Sequence, residues 1–184
     1  MLTAAALVGA GLLGTGVLDR SSLSSGHDQA DATFVVNMLP HHELGVRLIE
    51  LAALDATDVR LRELAFEMSG YHGPELVQLR RWRAAWAGTA SAGGGSSSQV
   101  MHTDDGPLGM VTDAELDDLA RRVGPDFDTE WLALMIRHHE GGVTMADTEV
   151  AAGRDVAAVR LASTIASVQR DQIAAMQSLL NALR

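Results

Sequence analysis

Two adjacent-histidine pairs, His41–His42 and His138–His139, stand in the same local frame. Each has a methionine one turn before it (Met38, Met135), an acid directly after it (Glu43, Glu140) and a glycine one turn on (Gly45, Gly142). Neutral imidazole and thioether are both metal donors, and together they form a soft-to-borderline set that suits copper, above all Cu(I). Zinc could take the imidazoles but gains little from a thioether, and Mg²⁺ or Ca²⁺ prefer oxygen. Because the neutral ring is the ligand, affinity should fall as pH drops through the histidine pKa of ~6.5. The same residues also permit a purely structural reading. Methionine fills irregular core gaps, and buried imidazoles can be satisfied by inter-helix hydrogen bonds, with Glu43 and Glu140 as candidate partners.

Such chemistry needs helices to position it. Neighbouring residues on a helix point ~100° apart, so one ring of each pair is expected to face the bundle and the other to sit at its flank. Met38 lies three residues before His41 and four before His42, which puts thioether and imidazole on one face. The glycine costs about 1 kcal/mol in a helix interior, and its bare backbone leaves room for a close helix or a bound ion.

Both pairs belong to an internal repeat. DATFVVNMLPHHELGV (31–46) aligns with DTEWLALMIRHHEGGV (128–143), and the same register carries Asp58 to Asp155, Ala65 to Ala162, Met68 to Ile165 and Leu76 to Ile173 without a gap. The chain therefore holds two copies of one helical hairpin. Phe34, Met38, His41, Gly45, Leu48 and Ala52 form one helical stripe, and Trp131, Met135, His138, Gly142 and Met145 form its counterpart. Second helices are expected near Asp58–Trp86, burying Leu61, Leu64, Ala65, Met68, Leu76, Leu79 and Trp82, and near Asp155–Leu183, burying Leu161, Ile165, Ile173, Met176 and Leu180. Asp55 can cap the former, and Asp128 can cap the first helix of copy two. Thr112 and Glu115 make a capping box for a short extra helix that Gly124–Pro125 ends. With no strand alternation, the fold class is all-α. Two hairpins that cannot each bury their own stripe should pack as a four-helix bundle, with the short helix added.

A turn near Asp55 sets His41 against position 69, where Met68, His72 and Glu75 gather. A turn near Gly153 sets His138 against position 168, hence Gln169 and Gln172. The candidate ligands are thus Met38, His41, His42, Met68 and His72 in copy one, and Met135, His138, His139 and Met145 in copy two. Met145 lies seven residues after His138, so one ion could use both only with help from another helix.

Composition removes several other functions. The 184 residues include no cysteine, which excludes disulfides, thiolate zinc sites, Cys-ligated iron–sulfur clusters and a Cys nucleophile. All 14 basic residues are Arg against 24 acids, and a net charge of −10 repels phosphate, so no nucleic-acid partner is expected. The run Leu79–Arg83 (LRRWR) reads as an arginine-coated helix face with Trp82 packed inward. His42–Glu43 and His139–Glu140 begin like a zincin signature, but Val46 and Val143 stand where the second ligand belongs. A di-iron carboxylate site needs Glu three residues before a His, and no His here has one. Neither a phosphate loop nor a Ser-His-Asp context is recognisable.

The flanks divide the chain. Residues 1–18 carry no charge and, as a helix, would span about 27 Å, just short of a bilayer core of ~30 Å. They read as a signal peptide or membrane anchor without the usual basic start. A tether follows at 19–30, the first hairpin at 31–87, a Gly/Ser-rich linker at 88–108, and the short helix with the second hairpin at 109–184.

The series Asp31…Phe34…Met38…His41–His42, Gly109–Met110…Asp126–Phe127–Asp128…Trp131…Met135–Ile136…His138–His139–Glu140–Gly141–Gly142…Met145–Ala146 and Gln169…Ile173…Met176 resembles the bacterial family catalogued as "domain of unknown function 305". The resemblance covers about 31–183, most closely in copy two. It implies a ferritin-like helical bundle in an exported or envelope protein, with some members linked to copper or silver. It also implies a metal role for Met38, His41, His42, Met135, His138, His139 and Met145. Copy one departs from the family's second-helix motif, with His72 and Pro74 in place of a Gln and an acid, so the resemblance implies no equivalence of the two sites.

The expectation is an exported or cell-envelope protein that binds copper for sequestration or transfer, without enzymatic activity. Its partner would be a metal ion, with membrane contact only through an uncleaved 1–18, and a homo-oligomer stays open. One alternative is an interaction or scaffold module whose His pairs serve packing. Another is a metal-dependent redox activity.

Overall fold

Four long helices and one short one carry the chain: α1 (Gln29–Asp55), α2 (Val59–Trp86), α3 (Asp113–Leu119), α4 (Pro125–Ala152) and α5 (Val156–Leu183). This computed structural model describes residues 26–87, 102–103 and 106–184. The charge-free segment 1–18, tether residues 19–25 and linker residues 88–101 and 104–105 lie outside the described residues. The offset of 97 residues that separates His41 from His138 also maps α2 onto α5 end to end. The chain is an all-α bundle of two repeated hairpins with α3 added. The strand pairing among the described residues is a two-residue antiparallel one, His102–Thr103 with Gly106–Pro107, in the segment read as linker.

The helix starts follow from local chemistry. Asp28 caps α1 through a capping box with Asp31. Asp58, not Asp55, caps α2, its carboxylate accepting from Arg60 N at 2.8 Å. The helix begins one residue after Asp58, which leaves Asp55 in the last turn of α1. Asp155 serves α5 in the same way. Thr112 and Glu115 cap α3 as the spacing predicts. Gly124, at φ +63, opens α4 with Pro125 as its first residue, so that helix needs no side-chain cap from Asp128.

Asp128 and its repeat equivalent Asp31 instead tie the hairpins together. Asp128, buried, accepts from Thr57 N, Thr57 Oγ1 and Asp58 N at 2.9, 2.6 and 2.9 Å. Asp31 accepts from Arg154 N and Asp155 N at 3.0 and 2.9 Å. Each copy thus satisfies the orphan amides at the second-helix start of the other.

Each hairpin packs on itself, α1 packs along α4, and α2 meets α5 at few points. Every long helix passes from one apolar cluster to another. One gathers Leu48, Leu61, Ala65, Trp131, Leu132 and Met176, and the other Phe34, Met38, Leu79, Met145, Ala162 and Ile165. α1 and α4 traverse the two clusters in opposite orders, so they run antiparallel. The expected stripes are buried, except that Leu64, Trp82, Leu161 and Ile173 are half-buried at the rims. Among the described residues no helix is long and apolar enough to cross a membrane.

Candidate metal centre

Between the two apolar clusters lies a polar layer. α1 contributes His41 and His42, α2 His72 and Glu75, α4 His138 and His139, and α5 Gln169 and Gln172. The five imidazoles are at most 1 % exposed. Both rings of each pair are therefore inside, and neither sits at a flank. The physical reason is that α1 touches two neighbours: the ~100° between adjacent residues sends His41 toward α4 and His42 toward α2. His42 Nε2 meets Glu75 Oε2 at 2.9 Å, while His41 Nε2 meets the backbone oxygen of His138 at 2.9 Å. In copy two His139 Nε2 meets Gln172 Oε1 at 2.8 Å, so His139 rather than His138 faces α5. Glu43 pairs with Arg80 on the surface at 2.9 Å and Glu140 is exposed, so neither acid serves the rings.

Each ring spends one nitrogen on an oxygen acceptor. His72 Nδ1 reaches the Met68 carbonyl and His138 Nδ1 the Gly109 carbonyl, both at 3.3 Å, which completes the set. A carbonyl, amide or carboxylate oxygen takes the ring N–H, and the other nitrogen keeps a bare lone pair. Those five nitrogens, His41 Nδ1, His42 Nδ1, His72 Nε2, His138 Nε2 and His139 Nδ1, are buried and meet no hydrogen-bond partner. Burial, reinforced by neighbouring rings, holds His41, His72 and His138 well below the usual histidine range. Burial likewise lowers His139 to about 4, against the opposing bond from Gln172. These four rings are neutral at pH 7, the form in which imidazole is a ligand.

The rings are in mutual contact. His41 and His138 stack with centroids 3.7 Å apart, and His72 lies between His42 (4.9 Å) and His139 (5.5 Å). The glycines make this possible. A Cβ on Gly45 would stand 2.9 Å from His138 Nε2 and 3.0 Å from His72 Nε2, so two bare nitrogens from different copies converge over one bare backbone. At Gly142 a Cβ would collide with Gln169 Oε1 and meet His41 Cε1 at 3.1 Å. The grouping by copy expected from the hairpins is thus corrected. His138 crosses to the His72 side and His41 to the Gln169 side, because α1 and α4 are neighbours.

The thioethers divide likewise. Met38 and Met145 lie in the apolar cluster on one side of the layer, and Met68 and Met135 in the cluster on the other; all four are buried. Met145, placed seven residues from His138 in sequence, thereby shares its cluster with Met38 of the other copy. Among the described residues no three His, Asp or Glu side chains are already arranged to hold a metal ion. The donor set fits copper in type, with buried lone pairs and no charge of its own on four of the rings, and binding would have to draw nitrogens together.

A strap completes the centre. Gly109, at φ +67, lies on α4, where a Cβ on Gly141 would stand 2.5 Å from the Leu108 carbonyl carbon. That contact delivers the Gly109 carbonyl to His138. The sequence reading missed this acceptor, since a backbone oxygen leaves no mark on residue identity.

A family model described as "Domain of unknown function (DUF305)" matches residues 31–180. No curated protein matches the chain. Among solved structures, a Streptomyces coelicolor DUF305 protein, described as a candidate secreted protein, is similar with TM-score 0.70 and 27 % identity, covering 84 % of this chain and 93 % of that one. A DUF305 fragment from Deinococcus radiodurans gives 0.68 and 24 %, covering 83 % and 95 %, a likeness of fold. CopM in its Cu(II)-bound form gives 0.67 and 25 %, covering 84 % and 97 %.

Proposed function

The chain belongs to the domain of unknown function 305 family, and from that premise we propose that it is a copper-binding protein of the cell envelope or exterior that sequesters or hands on the ion without turning over a substrate. The observation that carries this reading is the set of five buried imidazole nitrogens left with bare lone pairs. Their partner nitrogens are held by carboxylate, amide or carbonyl oxygens, the outer-shell arrangement that orients metal-binding histidines. His41, His42, His72, His138 and His139 would hold the ion, with Met38, Met68, Met135 and Met145 as thioether donors from either side. Bound copper would supply a soft Lewis-acid centre and a one-electron couple. The likeness to CopM with Cu(II) adds support for copper over zinc. Residues 1–18 would be the export signal or anchor, and the two hairpins one functional unit joined by the 88–108 linker.

Isothermal titration of the full chain with Cu(I) and with Cu(II) tests this against His138→Gln/His139→Gln, which keeps polar groups in the layer. The proposal expects loss of tight binding in the variant, with a retained helical circular-dichroism spectrum. Unchanged binding would remove it. The second reading, a scaffold whose histidines serve packing, is favoured by one observation: every ring already has a hydrogen bond and a stacked or tilted ring neighbour. It expects no stoichiometric metal in protein purified without a His tag, and a lowered thermal midpoint in His41→Ala.

A further inference from the structure

Beneath the repeat symmetry the layer is unequal in charge. α2 brings Glu75 to His42 where α5 brings Gln172 to His139, at 2.9 and 2.8 Å through the same ring nitrogen, Nε2. The two contacts also share a sequence separation of 33 residues, so they are one device built twice with one chemical difference. Glu75 is 7 % exposed, and the next arginine along α2, Arg80, pairs with Glu43 instead. The charge of a buried acid is thus left to the His42 ring and to whatever lies beyond it. On that same side His72 replaces the amide of Gln169, so imidazole is added as well.

A carboxylate behind a coordinating imidazole makes the ring a stronger donor and adds a negative charge whose pull grows with the charge of the ion. An amide does neither. We propose that Glu75 sets the oxidation-state preference of the shared centre: acting through His42, its carboxyl favours Cu(II) over Cu(I), which the amide of Gln172 behind His139 does not. This deepens the copper-binding reading and rests on it. Glu75 touches no ion in this scheme. It is a positioning residue that acts through His42.

The experiment compares the full chain with Glu75→Gln and Gln172→Glu. Chelator competition gives the affinities for Cu(I) and Cu(II) separately, and the reduction potential of the copper-loaded protein gives their ratio independently. In Glu75→Gln, Cu(II) binding should weaken about 10–100-fold while Cu(I) changes much less. The potential then rises by about 60–120 mV, at 59 mV per tenfold for one electron. Gln172→Glu should lower the potential. Equal weakening of both ions, or a potential unmoved in both variants while the wild type still binds, overturns the role of Glu75 alone. A wild type that binds neither ion overturns the copper-binding reading and this inference together. Should Glu75→Gln fail to fold, as its thermal midpoint would reveal, the direction of the Gln172→Glu shift decides.

Discussion

Five imidazoles can share a dry layer because most of them carry no charge there. Burial dominates the lowering at His41, His72, His138 and His139, and neighbouring rings add to it in each. The sign of the consequence is fixed. Between the folded value and the unfolded 6.5 the unfolded chain binds more protons, so stability rises with pH across that window and is lost as pH falls below 6.5. For His139, lowered to about 4, the full window corresponds to about 3 kcal/mol. Thermal melts of metal-free protein should therefore show a midpoint that drops steadily from pH 7 to pH 4, and a flat profile would contradict neutral burial. The glycines give a second check at this scale. Gly45→Ala pushes a methyl onto His72 and His138 and should cost about 1–3 kcal/mol in chemical denaturation. Gly70→Ala, on a face with nothing within 4 Å, should be neutral or stabilise by up to about 1 kcal/mol. The histidine and methionine candidates were legible from type and spacing. Which ring faced which helix was not, because that depends on α1 having neighbours on two sides.

Periodicity and the 97-residue register located the helices well, down to the short one at Thr112. The caps were harder to read. Asp31 and Asp128 look like local N-terminal caps, yet Asp128 serves the other copy alone and Asp31 serves both its own helix and the other copy. A residue whose partner lies more than 70 positions away leaves no local signal. Asp128→Ala should cost about 2 kcal/mol, at the high end for a lost cap, since three partly buried hydrogen bonds go together. Denaturant titration measures it. Glu149 sits at the same junction, 1 % exposed, packed against Gly153 and Asp31. Burial first, then the neighbouring Asp31 carboxyl, push its carboxyl up to about 8, so at neutral pH it is mostly protonated. Here the folded state binds more protons, and stability is lost as pH rises from 4.5 toward 8. Glu149→Gln should therefore raise the thermal midpoint relative to wild type at pH 8.5 and leave it nearly unchanged at pH 5. The counterpart in copy one is Ala52, so this acid junction occurs at one hairpin only.

At the scale of the whole molecule, antiparallel packing of α1 on α4 decides what the centre is. It exchanges a histidine between the copies, pairs Met38 with Met145 and Met68 with Met135 in separate clusters, and makes one layer out of what the repeat spells as two sites. The four-helix architecture was legible from stripe and hairpin alone. The exchange was not, because a repeat records what each copy contains and not which copy lies beside it. The central claim is that copper would be held by the imidazoles of this shared layer. Pulsed electron paramagnetic resonance on the Cu(II)-loaded full chain reads the remote ring nitrogens of coordinated imidazoles directly. The account predicts coupling to two or more imidazoles that His138→Gln/His139→Gln diminishes. Copper bound with no imidazole coupling, or coupling unaffected by that variant, would contradict it.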